Sequence, residues 1–129
     1  MVDKAAHILL VGVGGFLGSV ARYLVALWMA PITAVFPFAT LTVNLLGSFL
    51  IGFISELALS TSLISPSTRI FLVTGFCGGF TTFSSYMIEH SALLRDGEHL
   101  YAALYLFGSL IGGFIALYLG IISARWMAG

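Results

Sequence analysis

The chain has 129 residues, 60% of them apolar and only 8% charged, with five basic and five acidic side chains. A soluble domain carries about half apolar and a quarter charged residues, so this composition excludes an ordinary water-soluble fold, and zero net charge leaves no basic surface for nucleic acid. Cys77, the single cysteine, excludes a disulfide framework and a CxxC metal pair; His7, His90 and His99 are scattered without a close helical spacing, so no metal cluster of side chains is expected.

Apolar windows of about 20 residues, the length that crosses a bilayer, occur at 7–28, 38–58, 70–92 and 100–122. The expected fold is therefore an all-α membrane protein, one four-span domain over 1–129. Short breaker segments separate the windows: "MAPITAVFP" (29–37) with Pro31 and Pro37, "STSLISPST" (60–68) with Pro66, and "RDGEH" (95–99) with three charges and a glycine. Lys4 before an apolar run has the order of a signal peptide, but the run continues past Arg22 to Met29, too long for a cleaved leader. The first span is expected to stay.

In that span Gly14 and Gly18 stand four apart, a spacing repeated by Gly75/Gly79 and Gly108/Gly112, and thirteen of the fifteen glycines fall inside the windows. In lipid, small residues let helix backbones approach closely. Extensive helix contact is expected, within the chain and between chains, because four spans barely enclose a polar path. Arg22, six residues before Trp28, has two readings. It either snorkels to the headgroups or supplies an electropositive vestibule that concentrates anions.

The second span places Thr40, Asn44 and Ser48 on one helix face. The third contains "TGFCGGFTTFSSY" (74–86), where Gly75, Gly78 and Gly79 each lower helix propensity by about 1 kcal/mol relative to alanine. Thr81, Thr82, Ser84 and Ser85 can bond the backbone locally, so the third helix is expected to break near its middle, around 75–82. Non-helical backbone at membrane depth must be buried in protein or line water, and broken helices expose carbonyls that ligate cations. Phe80 and Phe83, three apart, would share a face if the chain were helical there; they are either packing or ring edges turned toward an anion.

The fourth span repeats the polar stripe with Tyr101, Tyr105 and Ser109, continuing to Gly113. Two such stripes are either interhelical glue or a hydrogen-bonding track. Asn, Ser, Thr and Tyr all donate hydrogens without carrying charge, which suits a small anion leaving water. A cation or proton path would carry a central carboxylate; the first span has none, and Glu56 and Glu89 stand off the centres of theirs.

Four spans place both termini on one side, with Lys4, Arg69 and Arg125; Arg95 and Arg22 fall toward the other. Three against two is a weak positive-inside bias. It motivates the expectation that the chain inserts both ways round and pairs as an antiparallel, dual-topology homodimer.

Three segments, "GGFLGSVARY" (14–23), "TLTVNLLGSFLIG" (40–52) and "GFCGGFTTFSSY" (75–86), resemble the signature segments of the Fluc, or CrcB, family of fluoride channels, a likeness that extends to length and four-span layout. The resemblance implies an antiparallel homodimer in the bacterial cytoplasmic (inner) membrane that exports fluoride passively through two pores, with a structural sodium ion at the dimer centre. By position, Asn44 would be the pore asparagine, Phe80 and Phe83 the paired rings of the "Phe box", and Arg22 the vestibule arginine. Thr40, Tyr105 and Ser109 would join the polar track, with Tyr101 competing for the tyrosine position and Gly113 standing where relatives can carry a hydroxyl. The carbonyls of Gly75 and Gly78, two from each subunit, would hold the sodium. Glu89 matches a family glutamate whose role is left open.

Two alternatives stand beside this reading. A small multidrug transporter also has four spans, but needs a membrane carboxylate to exchange protons against cationic drugs. A structural membrane subunit would use the polar residues as glue. Neither a nucleophile–base pair nor a metal cluster can be assembled here, so an enzyme is not expected.

Overall fold

A computed structural model describes residues 3–129. The described chain is helical, with α1 Lys4–Trp28, α2 Phe38–Ser60, α3 Pro66–Arg69, a π-helix Ile70–Cys77, α4 Gly78–Phe80, α5 Ser84–Arg95 and α6 His99–Ala128. Four stretches are long and apolar enough to cross a membrane: α1, α2, the composite Pro66–Arg95 and α6. Each runs beyond its expected window, the third span and α6 the most, because polar and charged residues at the ends continue the helix past the apolar run.

Local chemistry sets these ends. Asp3 caps α1, its carboxylate accepting the Ala5 N–H at 3.0 Å. Pro66 opens α3 where a missing N–H costs nothing, and the Ser65 hydroxyl accepts the Thr68 N–H at 3.1 Å. In "RDGEH", Gly97 takes φ 75°, the left-handed conformation glycine reaches freely. It folds the Glu98 N–H back onto the Leu93 carbonyl at 2.8 Å and closes α5.

The expected discontinuity is present but lies later than the glycines suggested. Gly75, Gly78 and Gly79 remain helical, in the π-helix and α4, and the chain leaves the helix at residues 81–83, where Thr81 is extended at φ −86°, ψ 158°. The glycines serve packing instead. Gly14 rests on the backbone of Phe71 and Gly75, Gly18 on that of Phe76 and Phe80, and Gly79 on that of Gly15. Two of the three expected GxxxG pairs thus interlock across one interface. The third divides: Gly112 meets Leu45, while Gly108 has open space around it.

The break reassigns the third span from one neighbour to another. Before it, the π-helix and α4 pack on α1; after it, α5 packs on α6. There Tyr86 and Leu93 join Ala102 and Tyr105 in a buried cluster. The main remaining interface runs along α2 and α6, where Gly52 meets the Leu117 backbone and Gly120 the Phe49 backbone. Most other large apolar side chains are exposed on the chain's outer surface, as lipid contact requires.

A β-carbon at Gly18 would collide with the Phe76 carbonyl, whereas one at Gly15 would stand 3.8 Å from the Gly75 carbonyl. Gly18→Ala is therefore expected to lower stability by about 1–3 kcal/mol, the usual cost of overpacking, and Gly15→Ala to leave it nearly unchanged. Unfolding midpoints in detergent check the contrast.

Candidate functional site

Breaking a helix strands backbone groups, and at the 81–83 break side chains from two other helices take them up. Asn44 on α2 clamps Thr82 from both sides: its Nδ2 donates to the Thr82 carbonyl at 3.0 Å and its Oδ1 accepts the Thr82 N–H at 2.8 Å. Arg22 on α1 donates from Nε to the Gly79 carbonyl at 3.0 Å. Thr81 stays local, its N–H and Oγ1 both donating to the Cys77 carbonyl at 3.0 and 2.8 Å. Beyond the break the Thr82 hydroxyl accepts the Ser85 N–H at 3.2 Å, in the first turn of α5.

In an unbroken helix the Thr82 N–H would bond the Gly78 carbonyl. Because it goes to Asn44, the Gly78 oxygen loses that partner at an exposed position of the chain. The Gly75 carbonyl accepts the Gly78 N–H and Gly75 is buried. Its second lone pair remains.

Polar side chains line three clefts that follow one another across the chain. A first cavity of about 220 Å³ is bounded by Arg22, Thr40, Thr82, Ser85 and Glu89. A second, about 260 Å³, is bounded by Asn44, Ser48, Thr81, Thr82 and Phe83 and shares Thr82 with the first. A third, about 320 Å³, is bounded by Ser48, Ser109 and Gly113 and shares Ser48 and Ile51 with the second. Ser48 of the α2 stripe and Ser109 of the α6 stripe thus line the same cleft. Ser48 donates to the Asn44 carbonyl at 2.7 Å, and the Ser109 hydroxyl is buried without a hydrogen-bond partner among the described residues.

Glu89 joins three helices. It accepts from Thr40 Oγ1 at 2.6 Å and from Tyr105 OH at 3.3 Å. Tyr105 has no exposed surface and meets the path only through that carboxylate, while Tyr101 lines a separate apolar pocket with Phe36 and Phe38. The two tyrosines are thus distinguished by partner. Glu89 carried no assigned role from its position in the sequence; a hydroxyl one helical face away on α2 and another on α6 were the available signals, but only the packing of α5 on α6 brings them together.

Phe80 and Phe83 do not share a face. The break rotates one against the other: Phe80 is 6% exposed and stacks on Phe76 at 5.6 Å, whereas Phe83 is 72% exposed at the edge of the second cleft. The expectation of a common face assumed a helix that ends before Phe83. Arg22 is likewise placed between its two readings, lining the first cavity while capping a carbonyl inside the bundle.

A helical membrane protein of four spans, its third span broken beside a polar path, is the class these features define. The family described as CrcB-like protein, Camphor Resistance (CrcB) matches residues 9–121. A protein of Chlorobium luteolum named fluoride-specific ion channel FluC is 68% identical over 124 residues, 96% of each chain. Proteins with the same name from Chlorobaculum tepidum and Rhizobium meliloti are 65% and 46% identical, covering 92% and 94% of this chain and 94% and 98% of their own lengths. The chain belongs to the CrcB family and is a multi-pass membrane protein.

Proposed function

We propose that this protein is a fluoride-selective passive channel that exports cytoplasmic fluoride across the bacterial inner membrane, working as an antiparallel homodimer with two pores. The observation that carries the reading is the path itself: uncharged donors on α2, α6 and the 81–85 segment line clefts that one chain leaves open. A second copy would close them, and the exposed ring of Phe83 lies where closure would occur.

The break supplies opposite partial charges at one place. The carbonyl end of α4 is negative and the amide end of α5 positive. The first suits a cation and the second an anion. Gly75 and Gly78 from each of two copies would offer four carbonyl oxygens to a structural sodium ion at the dimer centre. The loss of the helical partner of Gly78 fits that use, since unwound carbonyls coordinate sodium in other membrane proteins. The ion would tie the two breaks together.

Fluoride is small and strongly hydrated, so entry requires protein donors in place of water. Arg22 would draw the anion into the first cavity. Asn44 and Ser109 would then hand it along, with Phe80 and Phe83 presenting ring edges, while Thr40 and Tyr105, whose O–H groups go to the Glu89 carboxylate, would hold that side chain in place beside the path. Gly113 leaves the far end of the path to water. Hydrogen fluoride crosses lipid as a neutral acid and dissociates inside, trapping the anion. A passive pore suffices for export because a negative interior drives an anion out with about 2.3 kcal/mol per 100 mV.

Purified protein in liposomes is expected to release fluoride, read by a fluoride electrode, while retaining chloride. Proton-coupled movement of a lipophilic cation instead would identify a drug antiporter, and no transport of either would leave a structural subunit.

A further inference from the structure

Gly14, Gly18 and Arg22 are spaced by four and lie on one face of α1. The two glycines press that face onto the backbone of the π-helix and α4. The next turn therefore delivers the guanidinium to the end of α4, where Nε donates to the Gly79 carbonyl at 3.0 Å. We propose that Arg22 is a positioning residue, whose Nε–H replaces the N–H that Phe83 would supply to Gly79 in a continuous helix and so holds the break at 81–83 open in its working geometry. The functional consequence rests on the channel reading; the cap itself does not.

Three observations converge on this role. A carbonyl stranded at membrane depth needs a donor, and the Gly79 oxygen has one from outside its own helix. A cation at a helix C-terminus also meets the negative end of the helix dipole. Finally, Arg22 and Asn44 act from two different helices, α1 and α2, on positions three residues apart, Gly79 and Thr82. The break is gripped on both sides. A side chain that only snorkelled, or only projected a field, would have no need of this bond through Nε.

Glutamine separates the cap from the charge, since its amide nitrogen stands the same number of bonds from Cα as arginine Nε. Methionine removes both. In lipid nanodiscs, hydrogen exchange at the Thr81 and Thr82 amides is expected to quicken on the order of tenfold in Arg22→Met, the usual weight of a charge-assisted hydrogen bond, and by no more than about threefold in Arg22→Gln. Segments along the α2–α6 interface should exchange as in the parent. Fluoride efflux should fall in the order parent, Arg22→Gln, Arg22→Met. A methionine variant that fails to fold while the glutamine variant folds would also support the cap. Equal exchange in the two variants would overturn it. A parent protein that passes no fluoride would remove the channel reading, and the exchange comparison would still decide the cap.

Discussion

Asn44→Asp is expected to reduce fluoride efflux by about tenfold or more, the effect of leaving a half-buried carbonyl without its donor. The amide meets the Thr82 carbonyl and the Thr82 N–H with opposite ends of its dipole. A carboxylate keeps the second bond and turns the first into oxygen against oxygen. It also places a negative charge on the path of an anion. Asn44→Leu separates these causes, since it removes both bonds and adds no charge. Comparable losses in Asp and Leu would assign the effect to the clamp, a loss confined to Asp would assign it to charge, and unchanged efflux in both would remove Asn44 from the mechanism.

Phe83→Ile is expected to lower efflux by about tenfold, the upper range of an aromatic contact's worth, without reducing the stability of the fold. The ring is 72% exposed in the chain, so its loss leaves no internal void. Phe80→Ile differs. That ring is 6% exposed and stacked on Phe76, and its replacement should cost stability as well as flux, by about 1–3 kcal/mol for a core shape change. Melting temperatures beside liposome efflux distinguish the two. Full efflux in Phe83→Ile would show that the exposed ring plays no part in conduction.

These outcomes bear on how the break is built. Proline or a kink alone would leave unsatisfied carbonyls in the membrane, and the usual remedies are neighbouring helices and polar side chains. Here α1 supplies Arg22, α2 supplies Asn44, and the segment itself supplies Thr81 and Thr82. The same break frees the third span to pack on α1 before it and on α6 after it. A structural feature of the fold and the polar path of the site therefore share one cause.

Much of this was legible without coordinates. Four apolar windows dictate four spans, because bilayer thickness and helical rise leave few other solutions. The hydroxyls and glycines of 74–86 announced an interruption, and the spacing of Thr40, Asn44 and Ser48 announced a polar face, since both follow from local propensity and helical period. Family membership was legible too, in three contiguous segments.

Tertiary structure decided the rest. The glycines expected to break the third helix instead bring it against α1, and the chain departs from the helix only where Asn44 engages Thr82. Phe80 and Phe83 were separated by a turn of backbone that spacing along a helix could not anticipate. Glu89 acquired Thr40 and Tyr105 from helices distant in sequence. Propensity and periodicity act over a few neighbouring residues, whereas a carbonyl stranded in lipid is satisfied by whichever donor the packing brings within reach, and that choice belongs to the assembled bundle.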